Sequence, residues 1–349
     1  MAVKALEFYS GIGGLHLALE RSKLGGQVAC AFDWDQAAEK VYRANFSTTP
    51  VKRVRGHALI ARVDISTLTA ASLRTTFPDV DLWLLSPACQ PYTVLNPNGK
   101  GERDPRAQSF LHLMQVVLPC LARDGSHPKY LLVENVGGFE QSTTRQLVLS
   151  VMRDLGYYCA EFLLTPLQFG IPNSRLRYYL LARRHPFSPA LSESGNSIMR
   201  YIPGHGTDVP WVDPRTDSPL AESYILAQYA IPNHVLLKWG WLFDIVLPKD
   251  RRTCCFTRGY TKLVERSGSI LQMNENLDSD PAQALIILHS LGLRYFTPDE
   301  LLHLFGFTRP NSADIAYGWP KEVSEKTKFR LIGNSVNVAV VASLLDYLL

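Results

Sequence analysis

The run Leu82-Trp83-Leu84-Leu85, closed by Ser86-Pro87, constrains the fold of this 349-residue chain more than any other segment. Four large apolar residues in a row, ended by a proline, predict a strand covered on both faces, as inside a parallel sheet. Parallel strands need crossover connections, and the surrounding sequence supplies them. Ala2 to Phe8, Val28 to Phe32, Tyr130 to Val133, Ala160 to Leu164 and Tyr178 to Ala182 predict further strands. Helical patterns over Leu15 to Leu24, Gln36 to Asn45, Ser109 to Leu118 and Arg145 to Leu155 are interleaved with them. Such alternation predicts an α/β fold with a doubly wound, mostly parallel sheet.

The alternation fades after His185. Residues 186–293 carry scattered Pro, Gly, Ser and Asp, as in Pro203-Gly204-His205-Gly206-Thr207-Asp208, and predict a smaller second domain. Regularity returns at Thr297-Pro298-Asp299-Glu300, where proline in the first turn and acids after it mark a helix start. A chain that is 46% hydrophobic and 19% charged can bury a large core. No apolar run reaches the roughly 20 residues of a membrane span, and the first residues enter a strand without a signal-peptide pattern. Cysteines 30, 89, 120, 159, 254 and 255 contain no C-x-x-C pair, which argues against a metal site and for reduced thiols. The net charge of +4 permits a polyanionic partner without demanding one.

In open parallel sheets ligands bind beyond the carboxyl ends of the strands, so the residues there carry the chemistry. Cys89 follows the Leu82–Leu85 run on a turn framed by Pro87 and Pro91, a placement suited to a nucleophile. Tyr9-Ser10-Gly11-Ile12-Gly13-Gly14 lies between a strand and a helix, where glycines let the backbone approach a cofactor. No Gly-Lys-Ser/Thr follows, which excludes a nucleoside-triphosphate P-loop. Asp33-Trp34 ends the second strand, offering an acceptor for ribose hydroxyls and a ring for adenine. Asp64-Ile65 follows a further apolar stretch and could meet an adenine amino group. Glu134 ends the strand Tyr130 to Val133, and Arg175 and Arg177 alternate so that both are expected on one face of an entering strand. A thiol, a carboxyl and two guanidiniums suit addition to an electron-poor ring: the thiolate attacks, the acid protonates a ring nitrogen, and arginine holds a carbonyl.

Ser10-Gly11-Ile12-Gly13-Gly14, Pro87-Ala88-Cys89-Gln90, Glu134-Asn135-Val136, Arg175-Leu176-Arg177 and Gly333-Asn334-Ser335-Val336 resemble, in order, the motifs of cytosine-C5 methyltransferases. Cys254-Cys255-Phe256-Thr257-Arg258-Gly259-Tyr260 and Leu293-Arg294-Tyr295-Phe296-Thr297-Pro298 resemble the branch of that family that modifies cytosine 38 of aspartate tRNA. The resemblance implies a Rossmann-like, class I methyltransferase fold with S-adenosylmethionine as donor and S-adenosylhomocysteine as product. It implies catalytic roles for Cys89, Glu134, Arg175 and Arg177. It places Tyr9, Ser10, Gly11, Ile12, Gly13, Gly14, Asp33, Trp34, Asp64, Ile65, Ala88, Asn334 and Ser335 around the cofactor. Because Asn334 and Ser335 close that site, residues 331–349 are expected to return to the catalytic domain of residues 1–185. Residues 186–293 then form an inserted target-recognition domain, and residues 294–330 a hinge with a connecting helix. The family places proline where this chain has Ala88, which predicts a less preorganised nucleophile turn. The Gly-rich segment Asn96 to Asp104 is expected to act as a lid.

The expected partner is tRNA, in particular aspartate tRNA, bound by a monomer that needs no metal and no membrane. An unpaired anticodon-loop base costs less to extrude than a duplex base. Duplex DNA is the alternative substrate, and a cofactor-binding protein with weak turnover the non-enzymatic alternative. With no clear nuclear signal, cytoplasmic and nuclear pools are both compatible with the sequence.

Overall fold

The structure, a computed structural model, describes residues 3–23, 25–47, 51–53, 65–92, 101–187, 198–204, 228–263, 267–274, 291–308 and 317–349. The chain forms two compact units. One gathers Met1–Leu164, Leu176–His205 and Val338–Leu349; the other gathers Thr165–Arg175 and Gly206–Asn337. The first unit therefore runs past residue 185, while 165–175 and the whole of 294–330 fall in the second, as do 331–337, so the expected return to the first unit begins at Val338 and not at residue 331.

The first unit is built on β1 (Val3–Phe8), β2 (Gly26–Asp33), β3 (Val51–Arg53), β4 (Leu82–Leu85), β5 (Tyr130–Val136), β6 (Tyr158–Leu164) and β7 (Arg177–Arg183). They form one sheet in the order β3-β2-β1-β4-β5-β7-β6. All pairs are parallel except those of β7, which runs antiparallel to both β5 and β6. Leu82, Trp83, Leu84 and Leu85 are all buried, as a strand covered on both faces requires. Phe8 pairs in register with Phe32 and Leu85. Its ring stacks on Phe32 at 5.0 Å and meets Trp83 edge-on at 5.1 Å, packing the core up to the strand ends.

Helices α1 (Gly14–Arg21), α2 (Gln36–Asn45), α3 (Ala70–Thr76), α4 (Pro105–His112), α5 (Leu118–Arg123) and α6 (Thr143–Asp154) accompany the sheet. Asp35 caps α2 through the Ala37 and Ala38 N–H groups, Asp104 caps α4, and Ser142 caps α6. Between α4 and α5, residues Leu113–Val117 form a π-helical turn, so one continuous helical path leads to Pro119. Proline has no N–H to donate, and a widened turn just before it absorbs the missing bond. A buried triad ties α6 to the sheet edge. Arg145 donates to both oxygens of Glu161 (2.5 and 2.8 Å), and the Tyr178 hydroxyl donates to the same carboxylate at 2.6 Å.

The second unit contains α7 (Asn233–Trp239), β8 (Ile245–Val246), β9 (Ile270–Gln272), β10 (Leu293–Arg294), α8 (Pro298–Leu304) and α9 (Glu325–Gly333). Its three strands order β10-β9-β8, with β8 parallel and β10 antiparallel to β9. Phe256, Tyr260, Phe296 and Phe329 make its aromatic centre, meeting edge-on at 5.0 to 5.4 Å. The Tyr260 hydroxyl accepts from the Phe296 N–H and donates to the Ser269 carbonyl, so a buried polar tip is satisfied. After this unit the chain enters α10 (Val338–Leu348), whose apolar residues are buried against α1 in the first unit.

Arg294 and Glu300 form a buried fork-to-fork pair at 2.9 and 2.8 Å, and Glu300 also closes a capping box with Thr297 at the start of α8. Removing one partner leaves a buried charge uncompensated. Glu300→Ala is therefore expected to cost about 3–5 kcal/mol in urea unfolding. Glu300→Gln, which keeps an acceptor for both partners, should recover part of that loss.

Candidate active site

Beyond the carboxyl end of β1 the chain turns abruptly. Tyr9 adopts φ 60°, Gly11 φ 54° and Gly13 φ 86°. The left-handed region costs a residue with a side chain about 1–2 kcal/mol, so Tyr9 must be held there by its surroundings. Its carbonyl accepts from Ser86 Oγ at 3.0 Å, and its hydroxyl lies 2.9 Å from Ser109 Oγ. Ser10 N–H donates to the Phe32 carbonyl at 3.1 Å. A Cβ at Gly13 would lie 2.3 Å from Phe46 Cε2, so only glycine fits where α1 begins.

Asp33, at the end of β2, is buried and serves two turns. Its Oδ2 accepts the Gly11 N–H at 2.6 Å and its Oδ1 the Asp35 N–H at 2.7 Å. Burial pushes its carboxyl up to about 6, against the lowering effect of these two N–H groups. Trp34, next in the chain, exposes 68% of its surface. Ser10 Oγ is buried and meets no hydrogen-bond partner among the described residues. Asp64 lies outside the described residues; Ile65 is buried in a short 3-10 turn, Ile65–Thr67.

The next strand ends carry the thiol and the carboxyl. Ser86 N–H donates to the Phe8 carbonyl at 3.3 Å, so the segment after β4 leaves the sheet alongside the glycine turn. Cys89 is half-buried at the start of a tight turn closed by the Tyr92 N–H on its carbonyl at 2.9 Å. The Tyr92 hydroxyl donates to Thr144 Oγ1 at 3.0 Å, and its ring meets Phe139 edge-on at 4.8 Å. Pro87, before the thiol, has its carbonyl 3.5 Å from Asn135 Nδ2, which ties this loop to β5. Ala88 between them is half-buried.

Glu134 lies in β5 and is buried. Arg177 opens β7 opposite Val136, and because β7 is antiparallel its first residue arrives at the same sheet edge. Its Nε sits 3.3 Å from Glu134 Oε1, a diagonal cross-strand pair. Arg177 Nη1 donates to the Leu176 carbonyl at 2.7 Å.

Arg175, expected on one strand face with Arg177, lies outside β7. It precedes β7, belongs to the second unit and is 3% exposed. Its guanidinium donates to the carbonyls of Phe256 (3.0 Å), Gly333 (3.1 Å) and Ser335 (2.6 Å), and lies over the Phe305 ring at 5.1 Å. A planar fork of five donors suits the convergence of three carbonyls, and that is a holding role. Asn334 and Ser335 also lie in the second unit, Asn334 exposed and Ser335 half-buried after α9. A Cβ on Gly333 would lie 2.3 Å from the Arg258 nitrogen, so Arg175 and this glycine hold one tight backbone crossing.

Several participants escape sequence reasoning. Ser86 and Asn135 act through side-chain hydrogen bonds between strand ends, from Oγ to the Tyr9 carbonyl and from Nδ2 to the Pro87 carbonyl. Arg106 makes a bidentate pair with Asp104 at 2.8 and 2.6 Å. That pair raises the guanidinium above its ordinary value, and the Cys89 thiolate adds a smaller push in the same direction. Of the expected lid, residues 96–100 lie outside the described residues; Gly101–Arg103 form a 3-10 turn. The Glu102 carboxylate at this turn accepts from the Thr143 hydroxyl.

The family described as C-5 cytosine-specific DNA methylase matches residues 3–349. The tRNA (cytosine(38)-C(5))-methyltransferase of Schizosaccharomyces pombe is 38% identical, over 99% of this chain and 97% of its own length. The DNA (cytosine-5)-methyltransferase of Dictyostelium discoideum is 31% identical, over 99% of this chain and 94% of its own length. The solved structure of an Entamoeba histolytica methyltransferase superposes with a TM-score of 0.81 at 32% identity, covering 100% of this chain and 98% of that one. A sheet edge that presents a thiol, a buried carboxyl and a glycine turn, in a chain so matched along its length, belongs to the C-5 cytosine methyltransferase family.

Proposed function

We propose that the chain transfers a methyl group from S-adenosylmethionine to C5 of a cytosine in tRNA, the target being cytosine 38 in the anticodon loop of aspartate tRNA. The observation that carries this reading is the meeting, at one sheet edge, of the Cys89 turn with the Glu134–Arg177 pair, joined through Asn135. The S. pombe relative supports the tRNA target.

The residues of the β1–α1 and β2–α2 turns fit such a nucleoside. The buried Ser10 hydroxyl, which meets no partner among the described residues, offers a donor, and the left-handed glycines leave the backbone bare. The two oxygens of Asp33 retain lone pairs beyond those used by Gly11 and Asp35. The open face of Trp34 can cover a purine. When bound, S-adenosylmethionine supplies an electrophilic methyl group on a sulfonium.

The chain's own residues prepare the base. Cys89 Sγ, as thiolate, bonds to C6 of cytosine, and the C5–C6 π pair moves into the ring as Glu134 delivers a proton at N3. Carbon 5 thereby becomes an enamine carbon able to take the methyl. Loss of the C5 proton to solvent then restores the C5–C6 double bond and expels the Cys89 thiolate, while N3 returns its proton to Glu134. Arg177 fixes the Glu134 carboxyl through the 3.3 Å contact, so the acid meets the ring in one orientation. An anticodon-loop base is already unpaired, which lowers the cost of bringing it to the thiol.

Duplex DNA is the second reading, supported by the Dictyostelium relative. Labelled methyl donor offered with total tRNA or with duplex DNA separates them: label is expected in tRNA, and label confined to DNA would replace this reading. Cys89→Ala is expected to abolish transfer while leaving S-adenosylhomocysteine affinity unchanged in calorimetry. Retained transfer would remove Cys89 from the chemistry.

The Ala88 N–H makes no hydrogen bond among the described residues, so a proline there would forfeit none of them. Xaa→Pro at a compatible site stabilises by about 0.4–1 kcal/mol. Carried into the transition state, this makes Ala88→Pro about two- to fivefold faster in single-turnover transfer. A slower variant would show that the turn requires a φ proline cannot adopt.

A further inference from the structure

The Gly11–Gly14 turn rests on a buried polar chain that the chemistry above does not use. Glu7, in β1, is 0% exposed. Its Oε1 accepts the His16 backbone N–H at 3.1 Å and its Oε2 accepts the Tyr42 hydroxyl proton at 2.7 Å. The Tyr42 oxygen lies 2.7 Å from His16 Nδ1, and His16 Nε2 lies 3.1 Å from Glu20 Oε1. Tyr42 has one proton and gives it to Glu7, so His16 Nδ1 donates to Tyr42. The chain of bonds thus runs from a fully buried carboxylate to one whose side chain is 35% exposed.

Both ends of this chain bear on the turn. Helix α1 starts after Gly13, which has no side chain to cap it. Glu7 takes the N–H of His16, the third residue of the helix and the usual partner of a capping side chain. At the other end, His16 stacks on Phe46 at 4.0 Å, while Phe46 and Tyr42 are the rings against which Gly13 packs. One network therefore holds the helix start and the wall behind the turn.

We propose that Glu7 is a positioning residue for the cofactor turn: ionised, it locks the start of α1 and the Tyr42–Phe46 wall through charge-assisted bonds, and protonated, it loosens both. This rests on reading Gly11–Gly14 as the cofactor turn. Bonds to an ionised acceptor are roughly twice as strong as neutral ones. Burial pushes Glu7 up to about 7, opposed by His16 and Tyr42 and assisted by Asp33. The groups facing it are His16 and Glu20 from α1, Tyr42 from α2 and Asp33 from β2; β4 and β2 place Leu84 and Ala31 beside it in register.

The signs separate positioning from simple structure. A carboxyl raised from 4.5 to about 7 keeps a proton that the unfolded chain releases, so folding stability falls as pH rises through that window. Cofactor affinity should move the other way, rising as Glu7 ionises. A residue important only for stability would drive both in the same direction.

The test measures S-adenosylhomocysteine affinity by calorimetry, with thermal unfolding in the same buffers, across a pH series from about 5 to about 9. Wild-type protein, Glu7→Gln and Tyr42→Phe are compared. The wild type should bind several-fold tighter at the upper end of the series while melting lower. Glu7→Gln should flatten both trends, leaving the smaller step that Asp33 contributes at lower pH. Tyr42→Phe, which removes a bond favouring the ionised form, should move the affinity step to higher pH. Equal pH dependence in wild type and Glu7→Gln, or an unmoved step in Tyr42→Phe, would overturn the proposal. Absence of binding by the wild type at every pH would overturn the reading of the turn, and this inference with it.

Discussion

The carboxylate of Asp33 makes two hydrogen bonds that belong to different turns, and the geometry of the first unit's edge follows from them. Through Gly11 it holds the loop after β1, and through Asp35 it holds the residue that caps α2. With Gly11 fixed, Tyr9 is kept in the left-handed region with its carbonyl aimed at Ser86, which sets where the Cys89 segment leaves β4. Hydrogen bonds to a charged group contribute about 1.5–3 kcal/mol each. Two of them outweigh the roughly 1–2 kcal/mol of backbone strain at Tyr9. The same burial that makes these bonds strong also opposes the charge, hence a carboxyl near 6.

Two arginines separated by one residue show how local spacing and tertiary role diverge. Arg177 opens a strand and meets a carboxylate across it, while Arg175 gathers three carbonyls from segments about eighty and one hundred sixty residues later in the chain. Period-two alternation assigns faces only within a strand. Arg175 lies before β7 starts, so the rule does not reach it. The split at Leu164 and Arg175 was hidden for the same reason: a short segment between two strands looks like a connection, whatever it packs against.

The strands themselves were legible because buried strands of a parallel sheet need unbroken apolar runs, and Leu82–Leu85 is one. The placement of the candidate residues was legible wherever they stood at a strand end: Cys89, Glu134, Asp33 and the glycine turn all lie at the edge the pattern implied. The reversed direction of β7 was not, since hydrophobic periodicity carries no sense of direction. Nor was the Glu7–Tyr42–His16 network. A glutamate between leucine and phenylalanine reads as the solvent side of a strand, and its partners sit nine and thirty-five residues away on two helices.

Helix α10 packs on α1, and the Lys23 N–H donates to Asp346 across a separation of 323 residues. Arg183 likewise reaches the Leu348 carbonyl. The first unit therefore closes a loop that contains nearly all of the chain, including the whole second unit. Loop-closure entropy grows only slowly with length, so the equilibrium penalty is modest, but contacts this distant form late. During synthesis the β1–α1 layer emerges before residues 338–348, and one apolar face of α1 waits uncovered until they follow. The second unit has every residue it needs before then. In the order of its making, the unit that holds the thiol is the last to be finished.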